Sequence, residues 1–134
     1  MSRKVARTYA YQLVFESLFN KDDQIAKENI FKDPTLTLDD SNYIETVVNG
    51  VNQNYNELIE LISRNTANFK FERIFKPDLA ILLLATYEMK YIPNIPKNVS
   101  INEAVELAKV NSTEKSPQFV NGVLSGIYKE LNKC

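Results

Sequence analysis

The chain has 134 residues, of which 44% are hydrophobic and 25% charged, and its net charge is −1 at pH 7. This length is most simply one compact domain whose core is large enough to need no disulfides. The chain has no histidine and one cysteine, Cys134, which excludes internal disulfides, zinc sites and the usual catalytic triads. It shows neither a signal peptide nor an apolar run of about 18 residues. We therefore expect a cytoplasmic, non-enzymatic protein without metal, cofactor or membrane association.

Hydrophobic periodicity predicts a first helix over residues 3–20. Arg3, Lys4 and Arg7 lie on the flank opposite its apolar face, and no acidic residue precedes Glu16. Positive charge near a helix N-terminus opposes the macrodipole, so the cluster does not stabilise its own helix. We interpret it as a binding surface for an anionic partner; the alternative is a solvated or frayed helix end.

Three further helices are predicted before the proline loop at positions 93–96. A short one covers residues 22–31, and a long one covers residues 39–65, capped within the stretch "DDS" and with room for a bend at Gly50. The third begins near Pro77 and is apolar on nearly every side between residues 79 and 85, which is typical of a central buried helix.

Two helices are predicted in the remainder of the chain. Ser100 and Glu103 have the S-x-x-E spacing of a capping box, and Ser116 with Pro117 is typical of a second helix start. Gly122 and Gly126 lie four residues apart inside this last helix. Because glycine weakens a helix interior, we expect both to allow close approach of a neighbouring helix in the bundle, namely the central one.

Four stretches occur in one order and spacing: "RKVARTYAYQLVFE" from Arg3, "LAILLLATYEM" at 79–89, "SINEAVELAK" at 100–109 and "FVNGVLSGI" at 119–127. Together they resemble the NusB family of bacterial transcription antitermination factors, from position 3 to about position 129. The resemblance implies an all-α, single compact domain (1–134) of about seven helices in two packed helical subdomains, 1–70 and 71–134.

The resemblance also implies a function. Members bind boxA RNA together with NusE, a protein of the small ribosomal subunit. They join an elongating RNA polymerase complex with other Nus factors, which keeps transcription of ribosomal RNA operons processive. Some members self-associate, and no feature of this sequence decides for or against a homodimer.

The family motifs suggest which residues would contact RNA. The N-terminal motif matches the basic cluster, and arginine both grips phosphate and stacks on bases. The turn "NSTEKSPQF" matches a region near the RNA path, although glutamine replaces the usual lysine there, and the first helix carries an aromatic residue that could stack on an unpaired base. The candidate RNA-binding residues are Arg3, Lys4, Arg7, Phe15, Lys115, Gln118 and Phe119. Both phenylalanines also fit a core role.

Glu72 and Asp78 flank the start of the central helix, where the family places acidic residues near NusE. Acidic side chains would steer a basic ribosomal protein. Alternatively, Asp78 only satisfies the helix N-terminus.

Two other functions remain open. One is an adaptor that binds NusE without RNA, which the thin basic cluster and Gln118 permit. The other is a module like the front domain of ribosomal RNA cytosine methyltransferases, although the sequence contains no Rossmann-type domain and no glycine-rich cofactor loop.

Overall fold

A computed structural model of the protein describes residues 3–19, 24–66 and 71–132. These residues form seven α-helices and one short 3₁₀ helix, with no strand among them. The α-helices are α1 (Arg3–Ser17), α2 (Gln24–Phe31), α3 (Leu38–Gln53), α4 (Tyr55–Arg64), α5 (Lys76–Tyr91), α6 (Lys97–Asn111) and α7 (Ser116–Leu131), and the 3₁₀ helix is Phe71–Arg73. The predicted all-α fold of about seven helices is confirmed.

Helix α5 is the centre of the structure. Every side chain from Asp78 to Met89 is buried, and the helix packs against α1, α3, α4, α6 and α7. The prediction of a central buried helix is confirmed, because a run without a polar face can only be covered on all sides. None of the described helices is long and apolar enough to cross a membrane.

The predicted boundary between two helical halves falls at residue 70, which lies outside the described residues. The predicted end of the first helix at residue 20, the predicted start of the second at residue 22, and Cys134 also lie outside them. The division into halves therefore stays a prediction. Apolar side chains from both sides of that boundary belong to one core cluster.

The long helix predicted over residues 39–65 is wrong, because the structure has two helices separated at Asn54. The Asn54 backbone N–H and its side-chain amide both donate to the carbonyl of Gly50, at 3.0 and 2.8 Å, which ends α3. The cap of α3 also differs from the prediction. Thr37 Oγ1 accepts from the Asp40 N–H at 3.1 Å, and the Asp40 carboxylate accepts from the Thr37 N–H at 3.4 Å, which completes a capping box.

The capping box predicted at Ser100 and Glu103 is wrong. Helix α6 begins three residues earlier, at Lys97 after Pro96, so Ser100 lies inside the helix and is buried. Proline is favourable at a helix start, and here the proline loop itself supplies the boundary. Helix α7 begins at Ser116 with Pro117 in its first turn, close to the predicted start. The predicted cap at Ser116 is wrong, because Lys115 is the N-cap residue and its side chain makes no capping hydrogen bond.

The close approach predicted at Gly122 is also wrong. A Cβ atom at Gly122 would have no neighbour within 4 Å. At Gly126 it would lie 2.5 Å from Oδ1 of Asn65, at the end of α4 rather than in the central helix. The glycine that faces α5 is Gly50, where a Cβ atom would overlap the ring of Tyr87.

Candidate functional site

Arg7 does not share the exposed flank of Arg3 and Lys4, so that part of the sequence prediction is wrong. Its side chain lies on the buried side of α1 with Ala6 and Ala10, and the residue is 6% exposed. Nε donates to both carboxylate oxygens of Glu88, at 3.2 and 3.0 Å, and Nη2 donates to Oε1 at 3.0 Å. Contact with RNA would require this bidentate pair to open.

Glu88 is the centre of a buried polar network that joins α1, α3, α5 and α6. Besides Arg7, it accepts hydrogen bonds from the Tyr43 hydroxyl and, at 2.9 Å, from Ser100 Oγ. Burial, followed by the charge of Glu88 and its hydrogen bond, raises the pKa of Tyr43. Burial alone would lower the pKa of Arg7, but its hydrogen bonds and attraction to Glu88 outweigh this and raise it.

This network was not predicted from the sequence. The available signal was Glu88 itself, because it stands in an otherwise apolar helix and a buried carboxylate needs a partner. The partner could not be read from spacing, since Arg7 lies 81 positions away.

Arg3 and Lys4 lie at the start of α1 and reach the surface. Arg3 Nη2 is 2.6 Å from Asp39 Oδ2, and its Cζ atom is 4.4 Å from the centre of the Tyr43 ring. This is cation–π geometry. Lys4 is exposed beside a small groove between α1 and α6.

A second group of predicted residues meets where α5 and α7 begin. Asp78, Lys115 and Phe119 line one depression of about 230 Å³, together with Arg73 and Phe75, which the sequence analysis did not single out. Phe75 is 53% exposed and Lys115 is also exposed, whereas Phe119 is half-buried against the core. The depression thus combines aromatic surface with two cationic side chains.

Asp78 is buried at the wall of this depression. Its Oδ1 accepts a hydrogen bond from Ser112 Oγ at 2.5 Å, and Ser112 Oγ lies 2.9 Å from Ser116 Oγ. The carboxylate therefore fastens the turn between α6 and α7 to the first turn of α5. This geometry favours a structural role for Asp78 over direct contact with a partner.

The other predicted residues lie on different surface features. Glu72 is exposed on the 3₁₀ helix. Gln118 is exposed and lines a groove between α6 and α7. Phe15 is half-buried in a groove between α1 and α2. The centre of its ring lies 6.1 Å from that of Tyr11 and 5.1 Å from that of Phe19. The structure therefore does not gather all nine candidates into one site.

Among the described residues, no three acidic or cysteine side chains are placed to hold a metal ion. The candidates instead offer cationic, amide and aromatic side chains, which are groups that bind phosphates and unstacked bases.

Comparisons with known proteins by sequence and by fold identify one and the same family. The family model described as the NusB family matches residues 4–129. A transcription antitermination protein NusB of Natranaerobius thermophilus is 42% identical, with 100% of this chain and 99% of the relative covered. One of Listeria monocytogenes serotype 4a is 40% identical, covering 97% of this chain and 98% of the relative.

Solved structures agree. The structure of T. maritima NusB superimposes with a TM-score of 0.88 at 33% identity, over 97% of this chain and 92% of that one. A chain from the crystal structure of antitermination factors NusB and NusE in complex with dsRNA superimposes with a TM-score of 0.83 at 25% identity, over 96% of both chains. The match over nearly the whole length, in sequence and in fold, confirms the resemblance: this chain belongs to the NusB family.

Proposed function

We propose that this protein is a transcription antitermination factor that binds boxA-type RNA together with NusE and so promotes processive transcription of ribosomal RNA operons. The observation that carries the proposal is the similarity over 96% of the chain to a protein solved in a complex of NusB, NusE and dsRNA. The protein acts by binding and has no catalytic role.

We assign direct RNA contact to the exposed candidates at two helix starts. Arg3 and Lys4 begin α1, and Lys115 and Gln118 stand at the start of α7. A small number of phosphate contacts gives weak, salt-sensitive binding, which fits a protein that relies on a partner. Phe119, which is half-buried, is the candidate for stacking on a base.

The inward-facing candidates support this surface from within. Arg7 holds α1 to the core through Glu88, and Asp78 holds the turn that carries Lys115. Glu72 is the acidic candidate whose side chain reaches solvent, and we assign it to the NusE surface, where it would attract a basic partner.

The same proposal includes where the protein works and which assemblies it forms. The protein works in the cytoplasm, in an elongating RNA polymerase complex with other Nus factors. A homodimer would be a separate state of the free protein.

The proposal is tested by fluorescence-anisotropy titration of boxA RNA and of a scrambled RNA, with and without purified NusE, at two salt concentrations. We expect tighter binding of boxA RNA when NusE is present, and weaker binding at the higher salt concentration. Binding of NusE without RNA selectivity would instead favour the adaptor function.

A matched pair of variants tests the assigned surface. Lys115→Ala should weaken boxA binding, because it removes a cation from the start of α7. Lys129→Ala removes the same charge from the other end of α7, roughly 20 Å away, and should leave the affinity unchanged. Equal effects of the two substitutions would contradict the assignment of Lys115.

A further inference from the structure

Arg3 lies between an aromatic ring and a carboxylate. Its Cζ atom is 4.4 Å from the centre of the Tyr43 ring, and its Nη2 is 2.6 Å from Asp39 Oδ2. The Arg3 side chain is 34% exposed and that of Asp39 is 83% exposed. This pair therefore lies at the edge of the protein, where a phosphate could reach it.

The ring beneath Arg3 cannot easily move. Tyr43 is buried, and its hydroxyl donates to Glu88, which also pairs with the Arg7 guanidinium. The Nε atom of Arg3 is buried without a hydrogen-bond partner, and the nearest oxygen of Asp40 is 3.9 Å away. The guanidinium group is thus held on the ring, and its hydrogen-bonded edge faces Asp39.

Asp39 is not needed for the cap of α3. The capping box uses Thr37 and Asp40, while the side chain of Asp39 extends into solvent and contacts Arg3. A carboxylate and a phosphate present similar oxygen pairs to a guanidinium group. An exposed ion pair is weak, so a phosphate can replace the carboxylate at modest cost.

We propose that Asp39 occupies the phosphate position at Arg3 and thereby limits the affinity of this protein for RNA. An RNA phosphate must displace Asp39 before Arg3 can bind it. This inference rests on the proposed function, and in particular on Arg3 as an RNA contact.

The test is a titration of boxA RNA with the full chain and NusE at low salt. Asp39→Asn should tighten binding by roughly two- to fivefold, which corresponds to the strength of an exposed ion pair. Because exposed charges are screened by salt, the gain should shrink at higher salt concentration. Glu45→Gln removes the same charge from α3 about 9 Å further along its axis and should change affinity less.

A double-mutant cycle separates this mechanism from a general effect of charge. In an Arg3→Gln background, Asp39→Asn should give no gain, because the phosphate position no longer exists. The inference is overturned if Asp39→Asn fails to tighten binding, or if it tightens binding equally without Arg3 or no more than Glu45→Gln does. If the unmodified protein with NusE does not bind boxA RNA at all, the proposed function falls and takes this inference with it.

Discussion

Arg7 and Glu88 form an ion pair in the interior, with side-chain exposures of 7% and 1%. Two buried charges lose their hydration, and their attraction offsets that cost only while both are present. The Tyr43 and Ser100 hydroxyls complete the hydrogen bonding of the carboxylate. Loss of Arg7 would leave an unpaired negative charge in the core.

Arg7→Met should therefore lower the free energy of unfolding by about 3–5 kcal/mol, measured by urea denaturation followed by circular dichroism. Adding Glu88→Gln should recover part of this loss, because it removes the charge left unpaired. Arg64→Met is the control, since Arg64 pairs with Glu60 and Glu130 at the surface. A loss for Arg7→Met no larger than for this control would contradict the buried pair.

Asp33 ties the loop between α2 and α3 to the first helix. Its carboxylate accepts hydrogen bonds from the Thr35 hydroxyl at 2.6 Å, the Thr35 N–H at 2.8 Å and the Tyr9 hydroxyl at 2.5 Å. The Thr35 hydroxyl first, and then Tyr9, lowers the pKa of Asp33. A carboxyl group with a lowered pKa stabilises the fold above its unfolded-state pKa of about 3.9 and loses this contribution as the pH falls through its folded-state pKa.

Asp33→Asn should therefore be less stable than the unmodified protein at neutral pH, and the difference should narrow as the pH falls below about 4. Urea unfolding over this pH range measures the free energy of unfolding of the variant and of the unmodified protein. Tyr9→Phe removes one of the donors and should show the same trend with a smaller difference. A difference that stays constant with pH would exclude the carboxylate as its cause.

At the scale of elements, helix boundaries are set by individual hydrogen bonds. Asn54 ends α3 although the apolar stripe continues through Leu58 and Ile62. Thr37 caps this helix, although the sequence pattern predicted a cap within residues 39–41. Ser100, which has a capping spacing, is buried against Glu88 instead. Periodicity locates a helix, but local polar contacts decide where it begins and ends.

The chain's three glycines give a matched test of how closely its helices pack. Gly50→Ala should lower the free energy of unfolding by about 1–3 kcal/mol, because the new methyl group would overlap the buried Tyr87 ring. Gly122→Ala meets open space and should be neutral or stabilise the helix by up to about 1 kcal/mol.

The effect of Gly126→Ala on the free energy of unfolding should lie between those of Gly50→Ala and Gly122→Ala, because the new methyl group would meet only the end of the Asn65 side chain. That side chain is held by hydrogen bonds to Leu61 O at 2.9 Å and Glu130 at 3.2 Å, so moving it has a cost. Thermal unfolding of the three variants gives the order of their stabilities. A loss of stability for Gly122→Ala as large as that for Gly50→Ala would contradict the open space at Gly122.

For the whole molecule, α5 joins the parts of the chain that precede and follow it. Leu82 is fully buried at its middle, and the helix packs against five others. Because one core cluster includes side chains from both predicted halves, we expect the molecule to unfold as one unit.

Leu82→Ala should lower the free energy of unfolding by about 2–5 kcal/mol. The protein should still unfold in a single transition, at the same midpoint whether it is followed by far-UV or by near-UV circular dichroism. Val110→Ala is the control, because Val110 is 82% exposed and its loss should change little. Two separate transitions would show that the halves unfold independently.

Most of the fold could be predicted from local patterns. The first helix, the central helix and the last helix were located from apolar periodicity, proline and the buried run of α5. The candidate site was less predictable. The first helix carries three basic residues near its start, and its pattern did not reveal that Arg7 turns inward while Arg3 and Lys4 turn outward.

The helical fold and the family follow from the amino-acid sequence alone, because both depend on residue types that recur at short spacings or in one order along the chain. The partners of the charged side chains, in contrast, depend on how the helices pack. Arg7 meets Glu88 across 81 positions, and Arg3 meets Asp39 across 36. Such pairs form where helices pack, so no local spacing encodes them. They determine which basic residues remain available to an anionic partner.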